Sequence, residues 1–125
     1  GWLEKGLPVR PYTTVAELFP RVTGQPPFQL PQSWSEAEET LSADTKFNFV
    51  GATDVIGGNS GSPVIDSAGR LVGLVFDGNI HAISGSYWFD ADRNRTVNVH
   101  PEIMLEALDK LYDADHLIDE LTLVD

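Results

Sequence analysis

The chain contains no cysteine among its 125 residues, so disulfide bonds and thiolate metal sites are excluded. Positive charge is scarce, because 8 Lys and Arg stand against 19 Asp and Glu and the formal net charge is −11. No basic stripe is available for a phosphate backbone, which argues against a nucleic-acid partner. No apolar run is long enough to span a bilayer, so no membrane insertion is expected. Nothing in the pattern indicates a metal or a cofactor.

The first third of the chain is rich in proline. Hydrophobic residues make up 42% of the whole sequence, the share expected of a folded domain. Residues 1–45 predict an irregular, Pro-rich lead-in with a short helix. One candidate covers residues 14–19 and ends before Pro20. Another begins at Ser35, where Glu38 completes a capping-box signature, and continues through Leu41.

Residues 46–100 alternate short apolar stretches with turn residues, which predicts β-hairpins of a barrel. The pattern predicts a strand at residues 46–50 and a hairpin formed by 64–66 and 71–76. It predicts a second hairpin formed by 87–89 and 96–99. Residues 101–121 predict a C-terminal helix, because Pro101 suits a first helical turn and apolar residues recur at helical spacing. The predicted fold is mainly β, closed by a C-terminal α-helix.

A glycine-rich loop at residues 57–63, Gly-Gly-Asn-Ser-Gly-Ser-Pro, carries the candidate chemistry. A serine nucleophile needs an exposed Oγ and backbone N–H groups aimed at the developing oxyanion. In the chymotrypsin arrangement these donors belong to the serine and to the residue two positions before it, here Ser60 and Gly58. Ser62 is the less favoured serine, and the alternative interpretation is an ordinary Gly-rich turn.

A serine nucleophile also needs a general base and an orienting acid, which precede it in the chymotrypsin order. No histidine precedes Ser60, since His81, His100 and His116 all follow it. The α/β-hydrolase order does not fit, because a predicted strand rather than a helix follows the serine. We therefore expect the base and the acid on an upstream barrel, and we expect the isolated chain to be inactive.

Residues 53–63 and 73–79 together resemble the S46 family of bacterial dipeptidyl peptidases, and the likeness continues through 83–85, 95–100 and 116–121. The resemblance implies the C-terminal part of a chymotrypsin-like double β-barrel, with a large helical domain inserted upstream. It implies release of dipeptides from peptides with a free N-terminus and a triad His and Asp far upstream. It also implies homodimers and a periplasmic or cell-surface location in bacteria.

The resemblance assigns two further positions. Asp77 corresponds to the family's Asp that holds the α-ammonium group of the substrate, and Gly78 corresponds to a position in the S1 subsite. Members with Arg at the second position prefer acidic P1 residues. Gly78 supplies no charge and leaves space, so an apolar or aromatic P1 residue is expected. Asp54, six residues before Ser60, is expected to be structural rather than a reader of basic P1 residues.

Three other interpretations stay open. A glutamyl endopeptidase of the staphylococcal type shares the serine loop, but Val75 stands where that class has a histidine. HtrA-like endopeptidases usually have Gly in place of Ser62. A non-catalytic barrel that only binds peptides or a partner, or a structural interaction domain, would carry the same loop without turnover.

Overall fold

A computed structural model describes residues 2–4 and 6–121. Its strands are β1 (Trp2–Glu4), β2 (Leu7–Val9), β3 (Tyr12–Thr14), β4 (Lys46–Gly51), β5 (Pro63–Ile65), β6 (Leu71–Gly78) and β7 (Thr96–Val99). Its α-helices are α1 (Gln32–Glu36), α2 (Pro101–Lys110) and α3 (Asp115–Glu120). Short 3-10 helices cover Val15–Glu17, Phe19–Arg21 and Ile80–Ser86.

Five of the strands form one antiparallel sheet in the order β3-β4-β7-β6-β5. The predicted strand at 46–50 and the predicted hairpin at 64–76 are both present as β4 and as β5 with β6. The alternating pattern of β7 buries Thr96 and Asn98 completely. Strands β1 and β2 pair only with each other in the described part of the chain.

The lead-in departs from the irregular segment that the sequence predicted. It contains three strands, β1, β2 and β3. Pro8 does not prevent this, because it lies in the short pair β1–β2, where a missing N–H is tolerated. The helix predicted at 14–19 is two 3-10 turns, and the second includes Pro20, whose missing N–H costs nothing in a first turn. The helix predicted over 35–41 is wrong in its bounds: α1 begins three residues earlier, after Pro31, and ends at Glu36, and residues 37–40 are turns. Ser35 lies inside α1, so the predicted capping box with Glu38 does not form, and the Ser35 hydroxyl donates to the Pro31 oxygen.

The second predicted hairpin is wrong. Residues 87–89 form no strand, because both edges of β7 are already paired with β4 and β6. The chain between β6 and β7 instead makes the 3-10 helix Ile80–Ser86. The C-terminal helix predicted over 101–121 is two helices, α2 and α3, separated by a turn in which Asp113 has a φ of 49°.

The apolar core lies where the lead-in packs against α2. Val15, Leu41 and Ile103 are buried there, and Ala37 completes the cluster. Partly buried side chains surround it: Phe19, Trp34, Phe47, Val99 and Leu111. Among the described residues, the helices are too short and too polar to cross a membrane.

Two carboxylates of α2 fasten this helix to the chain before β4. Glu102 accepts hydrogen bonds from the Lys46 amide at 2.9 Å and the Lys46 ammonium at 2.8 Å. Glu106 accepts from the Ser42 amide and the Thr45 hydroxyl. Burial acts to raise the pKa of Glu106, but these hydrogen bonds and the Lys110 ammonium outweigh it and hold that pKa below its ordinary value.

Candidate active site

The loop between β4 and β5 has a backbone that only glycine adopts easily. Gly58 has a φ of 100° and Gly61 a φ of 85°, both in the left-handed region. The amide of Gly61 donates to the Val75 oxygen at 2.6 Å, and the amide of Val75 donates to the Ser62 oxygen at 2.9 Å. The two glycines therefore turn the chain around Ser60, and β6 holds the turn in place.

Asn59, directly before the serine, closes the loop on itself. Its side-chain oxygen accepts from the Ile56 amide at 2.8 Å, and its own amide donates to the Ile56 oxygen at 3.2 Å. In trypsin-like enzymes an Asp at this position pairs with a new N-terminus. Here the turn is already fixed by a side chain within the loop.

The amides expected to hold an oxyanion are available. Within the described part of the chain, neither the Gly58 amide nor the Ser60 amide donates a hydrogen bond. The Ser60 side chain is exposed, and its hydroxyl lies 3.5 Å from the Phe76 oxygen. Both amides are therefore free to donate to a further acceptor beside an exposed hydroxyl, which an oxyanion hole needs.

A cleft of about 290 Å³ opens beside this loop. Ser60, Asp77 and Gly78 all border it, so the structure brings together three of the four predicted site residues. The fourth, Gly58, lies in the loop two residues before the serine. The remaining lining residues come from the loop, β6 and the 3-10 helix that follows: Val55, Ile56, Gly57, Asn59, Val75, Phe76, Asn79, Ala82 and Ile83.

Asp77 and Gly78 end strand β6 at the mouth of this cleft. The Asp77 carboxylate is exposed and accepts from the Gly78 amide at 2.8 Å. A Cβ on Gly78 would lie 2.9 Å from the Cβ of Ala82, closer than side chains pack. The space that the sequence expected Gly78 to leave is therefore taken by Ala82, and glycine is needed here for a close approach.

None of the three histidines borders the cleft. His100 caps α2, where its Nδ1 accepts from the Glu102 amide at 3.2 Å and its ring meets Phe49 edge to face. Burial lowers the pKa of His100. Asp54 is exposed and lies outside the cleft lining. The described residues hold no cluster of three or more His, Asp or Glu that could bind a metal.

Asn79 is the site residue that sequence reasoning missed. Its side-chain oxygen accepts from the amides of Ala82 and Arg95, each at 3.1 Å, and its amide nitrogen donates to the Arg93 oxygen at 2.7 Å. An Asn placed before a helical turn is a common N-cap, and that signal was present. The sequence pattern predicted no element over residues 80–86, so no helix was expected for Asn79 to cap.

Comparison with known proteins matches this chain to one family. The Peptidase S46 family model matches residues 1–123. Dipeptidyl-peptidase 7 of Capnocytophaga gingivalis is 35% identical over 122 residues, which cover 90% of this chain and 17% of that protein. Dipeptidyl-peptidase 7 of Porphyromonas gingivalis is 47% identical over 76 residues, 61% of this chain and 11% of that protein.

The fold has a match among solved structures. The crystal structure of Porphyromonas endodontalis DPP11 in complex with the dipeptide Arg-Asp superposes with a TM-score of 0.83 and 22% sequence identity. The match covers 95% of this chain and 18% of that one. The chain thus spans less than a fifth of the length of these three proteins. With the family model matching almost every residue, the chain belongs to the Peptidase S46 family.

Proposed function

We propose that this chain supplies the nucleophile and the amine-binding carboxylate of a serine-type dipeptidyl peptidase. The observation that carries the proposal is that Ser60 and Asp77 border one cleft, beside two amides that donate to nothing in the described residues. The matched relatives are named dipeptidyl-peptidases, which does not favour the endopeptidase or binding-module alternatives. In this proposal the sheet is part of the second barrel of a double β-barrel.

The reaction is acyl transfer. The Ser60 hydroxyl attacks the carbonyl carbon of the second peptide bond while a histidine from upstream polypeptide takes its proton. The Gly58 and Ser60 amides stabilise the oxyanion, and the histidine then returns the proton to the leaving amine. Water hydrolyses the acyl-enzyme by the same route and releases the dipeptide. No histidine of this chain borders the cleft, so the isolated chain is inactive in this account.

Asp77 sets the length of the product. In this proposal a carboxylate that borders the cleft with Ser60 pairs with the free α-ammonium group of the peptide, so that cleavage falls after the second residue. An acetylated substrate has no charge to pair with Asp77. The proposal therefore requires that blocked peptides are poor substrates.

The P1 side chain of the substrate is apolar in this proposal. The cleft wall beside Ser60 includes Val55, Ile56, Ala82 and Ile83, and Gly78 adds no charge. The upstream barrel and helical domain complete the site, and the full enzyme is a periplasmic or cell-surface homodimer that acts on peptides with a free N-terminus.

The test uses the full-length polypeptide as wild type and as Ser60→Ala. A dipeptide reporter with an apolar P1 residue is offered with a free or an acetylated N-terminus. The proposal predicts cleavage of the free reporter by the wild type only. Cleavage of the acetylated form would indicate an endopeptidase, and full activity of Ser60→Ala would remove the nucleophile assignment.

A further inference from the structure

One wall of the cleft is a short segment whose position depends on hydrogen bonds to residues outside the segment. The 3-10 helix Ile80–Ser86 contributes Ala82 and Ile83 to the lining. Ile80 and Ile83 are mostly exposed, at 77% and 79%. Apolar burial therefore does little to fix this segment, and its position depends on hydrogen bonds.

Those hydrogen bonds converge on Asn79. The Ala82 amide donates to both the backbone oxygen and the side-chain oxygen of Asn79, at 2.9 and 3.1 Å. The same side chain accepts from the Arg95 amide and donates to the Arg93 oxygen. The Asn79 amide also donates to the Arg95 oxygen at 2.9 Å. One residue thus ties the end of β6 to the wall and to the chain entering β7.

The turn at 90–95, to which the Asn79 side chain is bonded, has hydrogen bonds of its own. Asp90 organises the turn at 90–95, where its backbone oxygen accepts from Arg93 and Asn94 and its carboxylate accepts from Asp92. The Arg95 guanidinium donates to the Ala91 and Asn94 oxygens. Asn79 therefore connects an exposed 3-10 helix to a turn that is held by hydrogen bonds of its own.

Only an amide side chain makes this set of bonds. It accepts from two amides and donates to a carbonyl at the same time, whereas a carboxylate cannot donate and an alanine does neither. A Cβ on Gly78 would lie 2.9 Å from the Cβ of Ala82, so this wall lies close to β6, and a movement of Ala82 or Ile83 changes the shape of the cleft that Ser60 borders. A rigid wall is what discriminates side chains of different size.

We propose that Asn79 is a positioning residue that sets the width of the P1 subsite by fixing Ala82 and Ile83, so that it governs selection among apolar P1 side chains by size. This inference rests on the proposed function. It adds a determinant that Asp77 and Gly78 do not supply, because Asn79, although it borders the cleft, uses its side chain to hold the wall.

The test measures kcat/KM of the full-length enzyme for free dipeptide reporters with Ala, Leu, Met or Phe in P1. Asn79→Ala should reduce the ratio of kcat/KM between the best and the worst reporter by about tenfold. This is the discrimination that a pocket achieves between side chains that differ by one methylene group. Asn79→Asp keeps both acceptor bonds but sets a carboxylate oxygen, in place of the donor, against the Arg93 oxygen at 2.7 Å, so it should also reduce the ratio, by at least about threefold. His81→Ala, exposed and outside the cleft lining, is the matched control and should keep the wild-type ratio.

A purely structural role for Asn79 would lower kcat/KM for every reporter by one factor, and that result would overturn the inference. If Asn79→Ala does not fold, Ile83→Ala tests the same wall, and an unchanged ratio in that variant also overturns it. The proposed function fails separately, when the wild type cleaves no free reporter or Ser60→Ala cleaves as well as the wild type, and the inference then falls with it.

Discussion

The cleft and the core around Ile103 are attached to the same sheet, but they are built in different ways. The cleft lining mixes apolar side chains with glycines and polar side chains, and hydrogen bonds of Asn59 and Asn79 hold the loop and the 3-10 helix that border it. The core consists of apolar side chains from the lead-in, β4 and α2. No residue belongs to both sets.

This division separates reactivity from stability. A short exposed segment contributes little apolar burial, so a change there alters geometry more than the free energy of unfolding. A change in the core removes packed surface far from the reacting atoms. A core variant that changes P1 selectivity would contradict this division. Cleft variants that change P1 selectivity without lowering the free energy of unfolding would support it.

The largest effect on stability is expected for Ile103→Ala. Ile103 is 2% exposed in the core, and truncation of a buried Ile costs about 2–5 kcal/mol. Hydrogen exchange in peptides from α2 and β4 of the full-length enzyme should accelerate by at least about thirtyfold. Leu117→Ala, on exposed α3, is the control. The comparison fails if Ile103→Ala changes the P1 ratio while exchange in α2 is unaltered.

The next largest effect is expected for Asp77→Asn. The variant keeps an acceptor for the Gly78 amide but removes the charge, and a hydrogen bond to a charged group contributes about 1.5–3 kcal/mol. The kcat/KM for free reporters should fall about 10- to 100-fold, mainly through a higher KM. A loss in kcat alone, with KM unchanged, would show that Asp77 does not bind the amine.

A smaller effect is expected for an arginine at Gly78. The single substitution pushes a Cβ against Ala82, so the informative variant is Gly78→Arg combined with Ala82→Gly. A guanidinium beside the P1 side chain should raise the preference for Glu over Leu by about tenfold, measured as a kcat/KM ratio. Ala82→Gly alone is the control. A double variant that keeps the apolar preference contradicts the assignment of Gly78 to the S1 subsite.

The smallest effect is expected for Glu106→Gln. The folded pKa of Glu106 lies below its ordinary value, so its carboxylate stabilises the fold above about pH 4.5 and loses that contribution as pH falls through the folded pKa. At pH 7 the free energy of unfolding of the variant should be about 1 kcal/mol lower than that of the wild type, with a lower melting temperature. The difference should shrink toward pH 3. Exposed Glu39→Gln is the control, and a difference that grows on acidification contradicts the assignment.

The sequence predicted the parts of this molecule that depend on local chemistry. The serine loop follows from its glycines, the β5–β6 hairpin from its turn at 67–70, and the start of α2 from Pro101. Each of these is decided within a few residues, so its pattern appears directly in the chain.

The rest depends on contacts between distant residues. Residues 87–89 look like a strand, but β7 has no free edge to pair with them. Strand β3 of the lead-in exists because β4 offers an edge to residues 12–14, whereas β1 and β2 pair with each other. The close approach of Ala82 to Gly78 requires the turn that Asn79 caps. The sequence predicted no element over residues 80–86, so this wall of the cleft was not foreseen.

The most direct test of the central claim is to locate the nucleophile covalently. The full-length enzyme is treated with a dipeptidyl aryl phosphonate that has a free N-terminus and an apolar P1 residue, and the labelled peptide is sequenced by mass spectrometry. The account predicts phosphonylation at Ser60 in the wild type and in Ser62→Ala, and none in Ser60→Ala. A label on Ser62, or an unchanged label in Ser60→Ala, would contradict it.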